Sequence, residues 1–259
     1  MSVPKRIFVV PYRNRAVHLD GFRKRMRDYL GDAISECHVC VAHQYDDRPF
    51  NRGAMKNIGF LAMRKKYPDD YKDITFIFHD VDTWPREDGM IPYETTHGVV
   101  SHFYGYHFAL GGIFAIKGAD FEKTGGFPNF WGWGMEDNVM NQRCISANLR
   151  IDRSCFYEIS DRRMVRPFDG FKRCMAKQEI VEYKNSECDS MTDIRDINVC
   201  ETNGMLNVLS FEVSKDWRAL EFMHKDIREG TKVKVPTVTP RGGGGRRAGR
   251  NWTMDKMFN

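Results

Sequence analysis

Residues 74–82 read ITFIFHDVD. The first five are β-branched or aromatic apart from a threonine hydroxyl, a composition that favours a buried strand. The run ends on His79 and then delivers two carboxylates, Asp80 and Asp82. Side chains two apart on an extended chain point the same way, so both acids would face one site and Val81 the opposite side. The segments upstream supply the rest of a pattern. RIFVV at 6–10 reads as a buried strand, and residues 16–30 place Phe22, Met26 and Leu30 at helical spacing. CHVCVAH at 37–43 fits a second strand. Residues 53–66 fit a second helix, with Met55, Ile58 and Ala62 facing inward and Leu61 a further candidate. Strand, helix, strand, helix, strand predicts βαβ units, hence an α/β fold with a mixed, mainly parallel central sheet flanked by helices. Ligands of such sheets bind beyond the carboxyl ends of the strands, where Asp80 and Asp82 fall. Two readings of the pair stay open: a solvated strand end, or one carboxylate for a divalent cation and one for a ribose or sugar hydroxyl.

Downstream, short strands are expected at 98–103 and 112–117. The stretch GGFPNFWGWG at 125–134 leads into a helix near 136–149 that opens with Glu136 and Asp137. Carboxylates in the first turn of a helix are stabilised by its dipole, so plain capping is one reading. The other is a general base that takes a proton from an attacking hydroxyl. Trp131 and Trp133 serve either the core or the stacking face of a sugar ring. Gly132 and Gly134 would let the backbone approach a ligand.

The chain has 259 residues, 13% aromatic and 29% charged, a globular composition. No apolar run is long enough to cross a bilayer, and the start, MSVPKRIFVVPYRNR, lacks the features of a signal peptide. The expectation is a cytoplasmic protein without a membrane anchor. Seven cysteines at scattered spacing argue for reduced, structural thiols over a disulfide framework or a zinc site. The net charge of +5 is modest, and part of it sits in RGGGGRRAGR at 241–250. Nucleic-acid binding is therefore disfavoured against a solvated terminus. Residues 1–235 are expected to form one domain and 236–259 a flexible tail. Beyond residue 160 there is little periodicity until about 205–228, and nothing fixes the oligomeric state.

Together VPYRNR at 10–15, FNRGAMKNIGF at 50–60, FHDVDTWP at 78–85, GGFPNFWGWGMED at 125–137 and MVRP at 164–167 resemble the β-1,4-galactosyltransferases of glycosyltransferase family 7 in order and spacing. The likeness spans roughly residues 5–170. It implies a nucleotide-sugar-binding fold of the GT-A type. It also implies inverting transfer of galactose or a related sugar from a UDP-sugar donor to a glycan acceptor, with manganese as the usual metal. Carried over by position, it assigns Pro11, Tyr12, Arg13 and Arg15, with Phe50 and Arg52, to the nucleotide. Asp80 would touch the nucleotide sugar, and Gly112 and Trp133 would border the donor and acceptor sugars. Glu136 would position the sugars, Asp137 would be the base, and Asn138 would meet the acceptor. Asp82 and Met164 would be metal ligands.

Four positions depart from the family pattern. Pro167 stands where the family usually has a third metal ligand, a histidine. The metal would then have fewer protein ligands, borrow one such as Asp169, or be absent, and the preference for Mn2+ over Mg2+ would weaken. Asn138 replaces a common Asp, and an amide donates as well as accepts. Ala109 stands where galactose-specific members carry a Tyr, which leaves room for the acetamido group of N-acetylgalactosamine. Thr75 replaces a disulfide cysteine of some members, which fits a reducing compartment and a microbial or viral source. The alternative to an active transferase is a weak or inactive relative that binds a sugar nucleotide or glycan.

Overall fold

The computed structural model describes residues 2–183 and 190–226. The expected tail at 236–259 lies outside the described residues. The first strand, β1 (Arg6–Tyr12), is followed by helix α1 (Ala16–Leu30), β2 (Cys37–Gln44), α2 (Arg52–Lys66) and β3 (Thr75–His79). After β4 (Trp84–Pro85) come β5 (Val99–Gly105), β6 (Ile113–Lys117), the short α3 (Gly118–Lys123) and α4 (Glu136–Ser146). Three short strands follow, β7 (Arg150–Asp152), β8 (Tyr157–Glu158) and β9 (Met164–Val165), then β10 (Lys172–Ala176), β11 (Arg195–Thr202), β12 (Met205–Glu212) and β13 (Phe222–Asp226).

The central sheet runs β11-β12-β2-β1-β3-β6-β5-β7, with β8 also on β5. The pairs β12·β2, β2·β1, β1·β3, β5·β7 and β5·β8 are parallel, and β11·β12, β3·β6 and β6·β5 antiparallel. The sheet is therefore mixed and mainly parallel. β1 lies inside it and is buried on both faces, which explains its continuous apolar run. Ile7 and Val9 join a core with Ala54, Met55 and Ile58 of α2. Phe8, Val10 and Tyr12 join the opposite core with Leu19, Phe22 and Met26 of α1. The two helices thus cover opposite faces, as alternation along β1 requires.

Two local expectations change. β3 ends at His79, so Asp80 and Asp82 sit in the turn after the strand and not on it. Val81 nonetheless turns away into the second core, at 7% exposure. The segment without periodicity is built into the fold: β11 and β12 form a hairpin whose β12 pairs with β2, extending the sheet. β10 and β13 form a separate antiparallel pair. β11 is exposed along its whole length, so no apolar alternation marks it.

Candidate active site

A cleft of ≈ 830 Å³ opens at the carboxyl ends of β1 and β3. Of the residues expected there, Pro11, Arg13, Arg15, Phe50, Arg52, Asp80, Asp82, Gly112, Trp133, Glu136, Asp137 and Asn138 line it. So does Ala109. Two do not. Tyr12 is buried beneath, edge-on to the His43 ring at 4.9 Å. Met164 is 4% exposed, in the core with Val81 and Tyr93, on the short strand paired with Trp84–Pro85.

The tryptophans divide between the two readings. Trp131 is a core residue, stacked on Phe211 at 5.5 Å under the Arg48 guanidinium, its Nε1 donating to Lys215 O at 2.9 Å. Trp133 borders the cleft. Gly132 serves chain packing more than ligand approach. Its φ is +97°, and a Cβ there would lie 2.9 Å from the Cys174 carbonyl oxygen of β10.

Two helix starts meet at the cleft floor. Asn51 caps α2, its side chain accepting from Ala54 N at 2.9 Å, and so fixes Arg52 in the first turn. Met135, in the left-handed region at φ 70°, precedes α4 and turns its first two residues inward. Arg52 Nη1 donates to Glu136 Oε1 at 2.5 Å and to both oxygens of Asp137 at 2.9 Å. Its Nη2 donates to Asp80 Oδ1 at 2.5 Å. One guanidinium thus ties Asp80 of the first acidic pair to both members of the second, far apart in sequence. Lys56, one turn further along α2, donates to Asp137 Oδ1 at 3.0 Å. Sequence reasoning missed it; its only signal was a lysine among inward-facing neighbours on that helix.

The two adjacent acids of α4 are pushed in opposite directions. Burial, then the charge of Asp137, raises the Glu136 carboxyl above the ordinary range. Burial also acts against ionised Asp137, but the Arg52 and Lys56 charges outweigh it and hold that carboxyl low. Such divergence separates a carboxylate that stays charged from one ready to carry a proton.

Asp82 has a different environment. It makes no ion pair or side-chain hydrogen bond with a described residue. Burial, then the charges of Asp80 and Asp169, raises its carboxyl. Asp169 is itself held between Arg15 at 3.0 Å and Arg173 at 2.7 Å. Among the described residues, no group of three or more His, Cys, Asp or Glu converges to hold a metal. Asp82 is a hard oxygen donor of the kind magnesium-type ions take, so a cation there would need further ligands from beyond the protein. The donor set does not fit a cage made by protein alone.

A family model described as the N-terminal region of glycosyl transferase group 7 matches residues 2–94, and one described as the N-terminal domain of galactosyltransferase matches 93–167. β-1,4-galactosyltransferase 4 of Cricetulus griseus is 30% identical over 161 residues, 59% of this chain and 46% of that protein. Xylosylprotein 4-β-galactosyltransferase of Caenorhabditis elegans is 29% identical over 196 residues, 72% of this chain and 65% of that protein. The chain thus spans under half the length of the first of these and about two-thirds of the second. A crystal structure of a Drosophila β-1,4-galactosyltransferase 7 mutant, in complex with manganese, UDP-Gal and xylobiose, superposes with a TM-score of 0.65. It is 22% identical, and the match covers 83% of this chain and 97% of that one. No helix of the described residues is long and apolar enough to cross a membrane. With two successive family models covering residues 2–167 and a GT-A sheet beneath them, the chain belongs to glycosyltransferase family 7, the family of the β-1,4-galactosyltransferases.

Proposed function

We propose that the protein moves galactose or N-acetylgalactosamine from a UDP-sugar to a hydroxyl of a glycan acceptor, with inversion at the anomeric carbon. The observation that carries this is the state of Asp137. An ionised carboxylate offers about four acceptor positions. Arg52 takes one on each oxygen, and Lys56 a second on Oδ1. The position left open is on Oδ2, the atom packed against Gly111 on the cleft wall. Oδ2 is therefore the base for an acceptor hydroxyl laid on Trp133, with the Asn138 amide in reach of the acceptor.

The remaining residues take roles that follow from their places. Pro11, Arg13, Arg15 and Phe50 line the cleft beside β1 and would hold the nucleotide. Asp80, fixed by Arg52, would accept from a hydroxyl of the donor. Buried Glu136 steadies Arg52 and, through Arg52, Asp137. Ala109 and the Gly111–Gly112 turn face the donor sugar, and the small side chain leaves space for an acetamido group. Asp82 would hold Mn2+ or Mg2+ together with the diphosphate, and that cation would neutralise charge on the leaving UDP. The Drosophila relative's manganese, UDP-Gal and xylobiose support this choice of donor, metal and acceptor class.

The test is UDP release from UDP-galactose and UDP-N-acetylgalactosamine, with and without manganese, offered with monosaccharides and xylobiose. Acceptor-stimulated release that falls about 10²–10⁴-fold in Asp137→Asn, with UDP affinity retained, is expected. Tight UDP binding with no acceptor-stimulated release would refute the transferase reading in favour of a binding protein.

A further inference from the structure

Lys56 has 2% side-chain exposure, and its ammonium lies 4.1 Å from the centre of the Phe127 ring. Asp137 is its only ion-pair partner among the described residues. A buried ammonium carries a large desolvation cost, and an apolar side chain of similar volume often fills such a place at lower cost. Burial, then the Arg52 charge, lowers Lys56 itself below the ordinary lysine range while Asp137 acts the other way, so the charge leans on that carboxylate and calls for a reason beyond packing.

Charge balance around Asp137 supplies one. Facing it are Arg52 and Lys56 from α2, Asp80 from the turn after β3, and Glu136 from α4. Behind Gly111 stands His102 of β5, whose Nε2 lies 3.1 Å from Gly111 O and whose Nδ1 accepts from Arg153. Burial, then the Arg153 charge, brings His102 down to about 4, so it is neutral near pH 7. Two cations thus meet three carboxylates. Without Lys56, a single guanidinium would serve all three, and proton uptake would be the nearest relief. Glu136, already raised, would take the first proton, and Asp137 would follow at a higher pH than with Lys56 in place; a proton on Asp137 abolishes the base.

Resting on the reading of Asp137 as that base, we infer that Lys56 is a positioning residue for catalysis: its ammonium keeps Asp137 ionised and occupies Oδ1, leaving Oδ2 for the acceptor hydroxyl. The hydrogen bond at 3.0 Å and the fixed place of Lys56 one helical turn from Arg52 carry both halves of this role.

The experiment titrates the full chain labelled with [¹³Cγ]aspartate, the Asp137 signal being assigned by its loss in Asp137→Asn. An opposite charge at this distance depresses a carboxyl by about 1–3 pH units. Lys56→Met and Lys56→Gln should therefore each raise the Asp137 midpoint by about one unit or more. The acidic limb of acceptor-stimulated UDP release should move with it. Lys56→Gln retains an amide donor, so it reports on charge alone if Lys56→Met folds poorly. An unmoved midpoint in a folded variant overturns the inference. The titration needs no turnover, so a wild-type protein without transferase activity would refute the function while the midpoint still decides the effect of Lys56 on Asp137.

Discussion

Replacing Gly111 by alanine puts a single methyl group against the proposed base. Gly111 is not among the positive-φ glycines, so its backbone accepts a side chain without strain. The new Cβ would lie 2.3 Å from Asp137 Oδ2 and 2.8 Å from its Cγ. The carboxylate must retreat by about 1 Å to restore ordinary contact. Arg52 and Lys56 hold it from the other side, so retreat distorts three hydrogen bonds. The methyl also covers the one acceptor position of Oδ2 that those cations leave open. A misplacement of about 1 Å costs on the order of 10²-fold in rate, or about 2.7 kcal/mol of barrier. Overpacking by one methyl costs about 1–3 kcal/mol of stability. The assay is kcat for acceptor-stimulated UDP release, read beside UDP affinity and the thermal midpoint. The expected outcome is a large fall in kcat with UDP affinity unchanged. A folded Gly111→Ala protein with wild-type kcat would refute the placement of the reacting hydroxyl at Oδ2.

The two tryptophans should separate stability from substrate binding. Trp131→Ala removes a side chain stacked on Phe211 and should cost about 3–5 kcal/mol in urea unfolding, whereas Trp133→Ala, at a half-buried ring packed on Met175 and Ile180 beside the cleft, should cost clearly less and raise KM for the acceptor. Similar unfolding midpoints for the two variants would contradict the division. Burial brings His79 to about 4, as it does His102, so both are neutral in the folded protein near pH 7. A histidine whose folded pKa is depressed contributes stability that is complete above its unfolded value. That stability is lost as pH falls from about 6.5 towards 4, by up to roughly 3 kcal/mol for each group. Urea midpoints that stay level between pH 7 and pH 4.5 would contradict this.

The amino-terminal half of the sheet was legible because β1 and β3 are buried on both faces and α1 on one. β1 and β3 read as apolar runs, and of the expected α1 stripe Phe22 and Met26 are buried and Leu30 partly so, with Leu19 buried beside them. The helix start at Arg52 was placed within a residue. β11 was not legible, because a fully exposed edge strand carries no hydrophobic pattern; its partner β12 alternates only in part, with Leu206, Val208 and Phe211 buried. The lining from Phe171 to Cys174 was missed for a related reason. β10 is short, and its pairing with β13 spans almost fifty residues of chain, a contact that local pattern cannot report.

The site shows the same limit at the level of charge. Asp80 and Asp82 sit two residues apart, and their spacing treats them alike. Their environments differ because Arg52 reaches Asp80 at 2.5 Å and no described cation makes an ion pair with Asp82. That difference originates in the capped start of α2, thirty residues upstream. One acid is thereby committed to the hydrogen-bonded floor of the cleft, together with Glu136 and Asp137. The other is left as a desolvated carboxylate beside Asp169, raised by burial and its acidic neighbours, with the Arg15 and Arg166 charges offsetting that only in part. Spacing alone singled out the pair, and the position of one arginine decides which member is left without an ion pair among the described residues.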